Sequence, residues 1–124
     1  MSKKEEEFSE PVWDLAELLE RVDNDQILLR ELLDIFKEDF PQTLRSLKTA
    51  VTAEDLKSSS RLSHTLKGML SSLGAVRAAG AASRLEALSA AGETASLHAA
   101  LRALESEGES LVPELDAYMT EVRH

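Results

Sequence analysis

The sequence predicts an all-α protein: an antiparallel four-helix bundle with an additional short helix at its N-terminal end. Only 4% of the residues are aromatic, whereas Ala, Leu, Glu and Ser are abundant, a composition that favours helices over a sheet. Apolar residues recur at three- and four-residue steps in successive segments, as on one face of a helix. With 124 residues, the chain is long enough for one domain with one core.

The N-terminal part predicts a tail followed by a short helix. Residues 1–10 are charged and lack apolar periodicity, so we expect a disordered tail, with residues 11–124 forming the helical domain. The apolar positions from Trp13 to Val22 predict the short helix. We expect Trp13 and Phe8 to pack this helix against the bundle.

Two of the predicted long helices contain a proline. Asn24 or Asp25 should cap the second helix, whose apolar stripe continues past Pro41. The stripe of the last helix likewise passes Gly108 and Pro113 in phase, so we expect bent rather than divided helices. Gly74 and Gly92 should end the two helices between them. The predicted bounds of the last three helices are about Ala53–Leu73, Ala75–Ala91 and Thr94 onward.

Charge is distributed unevenly along the chain. The net charge of −9 argues against general nucleic-acid binding, which needs a basic face. The segment from Leu56 to Leu85 nevertheless contains five basic residues and no carboxylate. This segment is therefore expected to meet a negatively charged partner.

Three absences bear on the expected location of the protein. The chain contains no cysteine, no apolar run that could span a bilayer, and no apolar N-terminal secretion signal. We expect a cytoplasmic protein without disulfides that does not associate with membranes.

The third helix carries the main functional signal, His64. A residue every 100° places Leu62, Leu66, Leu70 and Met69 on one apolar arc, which must face the core. His64 falls roughly 200° from Leu62, almost opposite that arc. The imidazole is therefore predicted to face solvent.

The neighbours of His64 suit nucleophilic capture of a phosphoryl group. Lys67 places a cation one turn away, and Gly68 leaves space beside the imidazole although glycine disfavours a helix. No carboxylate lies within four residues of His64, which disfavours a metal site or a Ser-His-Asp relay. The other polar residues expected around the imidazole are Lys57, Ser60, Arg61 and Ser71.

These residues resemble the signature of the histidine phosphotransfer (HPt) domain family. The similar segments are His64-Thr65-Leu66-Lys67-Gly68, then Leu73-Gly74-Ala75 and Leu85-Glu86. The resemblance implies that His64 is phosphorylated, that Lys67 stabilises phosphoryl charge and that Gly68 gives a partner clearance. Partner docking is also expected at Lys57, Ser60, Arg61 and Ser71. Met69 and Leu70 depart from the small residues common in the family, and we expect altered core packing there.

The resemblance further implies a phosphocarrier in a two-component phosphorelay. A receiver domain would supply a phosphorylated aspartate and Mg²⁺, and this chain would need no metal or cofactor. Expected partners are response-regulator receiver domains and a histidine or hybrid kinase, with the chain as a monomer. No glycine-rich phosphate loop is found after a predicted strand, so we expect no ATP site and no stand-alone enzyme activity.

Two other functions fit parts of this sequence. The phosphoacceptor domain of a sensor or chemotaxis kinase is one, although in sensor kinases a carboxylate normally follows the histidine, where this chain has Thr65. The other is a binding-only adaptor that keeps the HPt fold without transfer. Intact His64, Lys67 and Gly68 argue against the adaptor.

The remaining candidates are weaker. Ile27, Leu28 and Phe36 on the second helix are candidates for an apolar part of a partner dock, although they could equally belong to the core. His98 is expected at the boundary of the core, and His124 in a disordered end.

Overall fold

The computed structural model describes residues 10–121, and within this range the chain forms five helices and no strand. The predicted all-α class is confirmed. Short connections join the four long helices, so that neighbours along the chain run antiparallel. The predicted tail lies, except for Glu10, outside the described residues, as do Phe8 and His124. The helices are α1 (Leu15–Arg21), α2 (Gln26–Thr52), α3 (Leu56–Leu73), α4 (Val76–Ala91) and α5 (Thr94–Glu121).

Side-chain caps and glycines set the ends of the helices. The carboxylates of Asp14, Asp25 and Asp55 each accept a hydrogen bond from a backbone N–H in the first turn of α1, α2 and α3, as N-caps do. Gly74 and Gly92 follow α3 and α4 with φ of 87° and 73°, the left-handed conformation predicted for both. Because Asp55 is the cap, α3 begins at Leu56 rather than near Ala53.

The two prolines of the long helices lie inside continuous helices, as the unbroken stripes predicted. Pro41 lies within α2 and Pro113 within α5. These helices approach closely at Gly108, where an added Cβ would lie 3.1 Å from two ring atoms of Phe40. Ion pairs between Lys48 and Glu105, and between Lys37 and Asp116, connect the same two helices.

The core is a leucine-rich interior to which every helix contributes. The rings of Phe36 and Phe40 stack with centroids 4.9 Å apart, and those of Trp13 and Tyr118 form a T-shaped pair with centroids 5.7 Å apart. Burial of Tyr118 raises the pKa of its phenol. The fully buried large side chains are Leu29, Leu33, Leu47, Val51, Leu66, Leu70, Leu85, Leu97, Leu104, Leu111 and Leu115.

The segment around α1 fixes the C-terminal end of α3. Trp13 donates its indole N–H to the Leu73 carbonyl at 2.9 Å, the Asp14 N–H bonds to the Gly74 carbonyl at 2.9 Å, and Arg21 donates to the Ser72 carbonyl at 2.8 Å. These donors satisfy carbonyls that a helix end leaves open. The predicted packing role of Trp13 is therefore confirmed, and α3 is held in place at the end beyond His64.

Short side chains fill the space between α3 and α4. Ser59 and Ser63 on α3 and Ala82 on α4 are fully buried, and Ser89 on α4 is nearly so. Small residues allow two helices to approach closely, which brings the exposed edge of α4 within side-chain reach of α3. None of the helices within residues 10–121 is both long enough and apolar enough to span a membrane.

Candidate functional site

His64 lies near the middle of α3 and faces outward. Its side chain is 67% exposed, whereas Leu66 and Leu70 on the opposite arc of the helix are completely buried. The helical geometry therefore predicted the orientation of the imidazole correctly. Around it, Lys57, Arg61, Gly68 and Ser71 are exposed, and Ser60 and Lys67 are half-buried.

Glu86 on α4 contacts both His64 and Lys67. One carboxylate oxygen, Oε2, lies 2.9 Å from His64 Nδ1, and the other, Oε1, lies 2.8 Å from Lys67 Nζ. The hydrogen bond from Lys67 lowers the pKa of Glu86 below its ordinary value, and the contact with His64 adds to this effect against the opposing effect of partial burial. A carboxylate thus lies beside the imidazole, contrary to what the residues flanking His64 indicated.

The residues flanking His64 do not reveal Glu86, because it lies far from the histidine along the chain. Glu86 is 22 positions away and immediately follows the carboxylate-free segment that ends at Leu85. In the sequence, Glu86 stands out only as part of the family resemblance. Its position does offer one indication: Glu86 is on the helix predicted to run antiparallel to α3, at a height where its side chain can reach the histidine.

The contact with Glu86 determines which ring nitrogen can react. A carboxylate oxygen only accepts hydrogen bonds, so the bond to Nδ1 requires a proton on Nδ1. In a neutral imidazole, Nε2 then holds the free lone pair. Because Nε2 lies across the ring from Nδ1, it is directed away from Glu86. The arrangement presents a nucleophilic nitrogen at the surface.

An open groove of about 720 Å³ runs past His64. Lys57 and Arg61 line it, and neither is within ion-pair distance of a carboxylate in the described part of the chain. Lys67 does not line this groove. The groove therefore places two cations beside the imidazole. Its other lining residues are Leu56, Ser60, His64, Thr65, Glu86, Ser89, Ala90, Ala91 and Gly92.

Gly68 leaves open space one turn beyond His64. An added Cβ at this position would have no heavy atom within 4 Å. The glycine is therefore not required for packing within the bundle, and its backbone is accessible beside the imidazole.

An exposed apolar patch lies on α2, and it differs from the predicted one. Ile27 and Leu28 are exposed as that hypothesis requires, but Phe36 is only 5% exposed and belongs to the core. Phe36 was the wrong candidate because it keeps the phase of the buried stripe. Leu32 and Ile35, at 39% and 57% exposure, complete what we call the α2 patch: Ile27, Leu28, Leu32 and Ile35.

Met69 joins α3 to this patch. Its side chain is half-buried and lines a small apolar groove with Leu32 and Ile35. Met69 was expected to face the core, but it lies at the edge of the core instead. Leu70 is fully buried, as expected. His98 is exposed on α5 rather than at the core boundary. Among residues 10–121, no three His, Asp or Glu side chains are close enough to hold a metal ion.

Comparison with known proteins identifies the family. Residues 31–124 match the Hpt domain family. The chain belongs to this family. It also resembles the crystal structure of histidine-containing phosphotransfer protein B from Pseudomonas aeruginosa PAO1, with a TM-score of 0.80 and 30% sequence identity over 91% of this chain and 98% of that one. No curated protein matches the chain. This Hpt domain is accordingly a histidine phosphotransfer protein, of the kind that meets receiver domains and kinases in phosphorelays.

Proposed function

We propose that His64 accepts a phosphoryl group on Nε2 from a receiver-domain aspartate or a kinase, and passes it to a response regulator. The observation that carries this proposal is the 2.9 Å contact between His64 Nδ1 and Glu86. It leaves Nε2 as the unprotonated nitrogen on an exposed ring. A histidine held in this way resembles an activated nucleophile with an orienting partner.

The transfer step follows from this tautomer. The Nε2 lone pair attacks phosphorus while the bond from phosphorus to the aspartate oxygen breaks, and its electron pair returns to the carboxylate. The ring becomes a phosphorylated imidazolium, whose Nδ1 proton still faces Glu86. A negative carboxylate stabilises that positive ring. Mg²⁺ and the acidic residues around the phosphoaspartate come from the receiver domain.

Lys67 supports the site through Glu86. Its ammonium holds the second carboxylate oxygen at 2.8 Å, which fixes the carboxylate that orients the imidazole. It also places a positive charge one turn from His64, as the family resemblance implies. Contact between Lys67 and a phosphoryl oxygen would require this ion pair to open, so the direct contribution of Lys67 is expected to be small.

The surface around His64 serves as the partner dock. Gly68 gives the backbone of a receiver access to the imidazole, and Ser60, Ser71, Lys57 and Arg61 surround the contact. The α2 patch adds apolar area beside Met69, which lies on α3, the helix that carries His64. Exposed apolar residues of this kind contribute affinity at an interface, whereas the charged groups set orientation and association rate.

Incubation with a phosphorylated receiver domain tests the proposal. Wild-type protein should acquire an acid-labile phosphoryl group, and His64→Gln should acquire none. His98→Gln is the matched control, because His98 is another exposed helical histidine. Loss of labelling in His98→Gln, or retained labelling in His64→Gln, would place the phosphoacceptor elsewhere.

A further inference from the structure

Phosphoryl oxygens on His64 need positive charge nearby, but the ammonium of Lys67 already forms an ion pair with Glu86. Negative charge is spread over the three oxygens of a phosphoryl group during transfer, and enzymes stabilise it with cations. The Lys67 ammonium lies 2.8 Å from Glu86 Oε1. Withdrawing it would leave Glu86 without the partner that contributes most to the lowered pKa of its carboxyl group.

Arg61 lies on the other side of His64. Arg61 precedes His64 by three residues, and Lys67 follows it by three. Each is therefore about 60° from His64 around the helix, in opposite directions. Glu86 binds Lys67, so Arg61 lies on the opposite flank of His64, where it lines one groove with the C-terminal end of α4 and another with α2. The Nε2 atom also points away from Glu86. Arg61 and the reactive nitrogen therefore share one edge of the site.

Arg61 is available for a ligand. It is exposed and lines the groove with His64, and it makes no ion pair with a carboxylate among residues 10–121. The charges of Arg61 and Lys57 help to lower the pKa of the Asp55 carboxyl, but hydrogen bonds from Ser58 lower it more. A guanidinium is planar and can donate two parallel N–H bonds to phosphate oxygens.

We propose that Arg61 is the principal cation that contacts the phosphoryl oxygens on His64, with Lys57 extending the positive groove one further turn away. This inference rests on the proposed phosphorylation of His64. Arg61 stays protonated throughout the transfer and exchanges no proton. Its N–H groups stabilise the charge on the oxygens while the N–P bond forms and the P–O bond to the aspartate breaks.

The first experiment compares Arg61→Gln, Lys67→Gln and Arg102→Gln. All three variants remove one positive charge, and Arg102 lies exposed on α5, which contributes no residue to the groove. Arg61→Gln should slow His64 labelling by about tenfold at low salt, as loss of a charge-assisted hydrogen bond would. Arg102→Gln should match wild type, and Lys67→Gln should lose less than Arg61→Gln. A greater loss in Lys67→Gln would overturn the assignment.

Two phosphodonors separate contact with the phosphoryl group from docking. A phosphorylated receiver must dock, whereas phosphoramidate needs no docking surface. If Arg61 contacts the phosphoryl group, Arg61→Gln slows labelling by both donors. Slower labelling by the receiver alone would make Arg61 a docking residue and overturn the proposal. Failure of both donors to label wild-type His64 would instead overturn the proposed function and, with it, this inference.

Glu86→Gln provides an internal check. This change releases Lys67 from its ion pair, so Lys67 can move toward the phosphoryl oxygens. The loss caused by Arg61→Gln, measured relative to Glu86→Gln alone, should then be smaller than in wild type. An equal or larger loss in the Glu86→Gln background would contradict the division of roles between the two cations.

Discussion

Gly68 allows stability and function to be altered independently. A Cβ at this position meets no heavy atom within 4 Å, and the residue is exposed within α3. Gly68→Ala should therefore stabilise the fold by about 0.8–1 kcal/mol, the difference in helix propensity between the two residues. For a domain of this size, that gain raises Tm by roughly 4 °C.

Gly80 is the matched control for this prediction. It is an exposed glycine on α4 that also has nothing within 4 Å of an added Cβ, so Gly80→Ala should give a similar gain. At Gly108 the gain should be smaller or negative, because the new Cβ would press on the ring of Phe40. Calorimetry of the three variants measures these differences.

The functional half of the prediction uses a larger side chain. Gly68→Gln and Gly80→Gln should both fold with Tm at or above that of wild type. Only Gly68→Gln should lose transfer from a phosphorylated receiver, because its side chain occupies the approach to His64. Labelling by phosphoramidate should persist in both variants. Receiver transfer by Gly68→Gln at the wild-type rate would show that the glycine has no role in docking.

Three further predictions concern the residues around the imidazole. His64→Gln should retain the wild-type Tm within about 1 °C, since the side chain is exposed and helix propensity changes little; a large drop would show a structural role. Lys67→Ala should slow transfer by only about threefold, which corresponds to the free energy of an exposed ion pair. If the variant transfers at the wild-type rate at both low and high salt, Lys67 is a solvated surface charge. Because folding lowers the pKa of Glu86, its contribution to stability is complete above its ordinary pKa of 4.5 and is lost as pH falls through the lower folded-state pKa. The difference in stability between wild type and Glu86→Gln should therefore shrink in acid, and a difference that does not change with pH would contradict the ion pair.

Local patterns were sufficient to predict most of the fold. The 3.6-residue period placed the core leucines and the outward His64, and the positions of Gly74 and Gly92 marked two helix ends by their left-handed backbone. The second helix was predicted to continue past Pro41 because the stripe keeps its phase there. These features depend on residues within a few turns of each other, which the sequence displays directly.

Features that depend on packing between helices were harder to predict. Glu86 lies 22 residues from His64, and its contact with the imidazole depends on how α3 and α4 pack against each other. The sequence left Phe36 open between the core and a partner dock, and the structure places it in the core while its neighbour Ile35 is exposed. Met69 lies at the edge of the same surface, between core and solvent.

The nitrogen that carries the phosphoryl group tests the central claim most directly. Phosphorus and nitrogen NMR of the phosphorylated protein, with nitrogen-labelled histidine, distinguishes phosphorus bonded to Nε2 from phosphorus bonded to Nδ1. We predict a single phosphohistidine at His64, bonded through Nε2, with the Nδ1 proton still directed at Glu86. Phosphorus on Nδ1 of His64, or on another residue, would contradict the account.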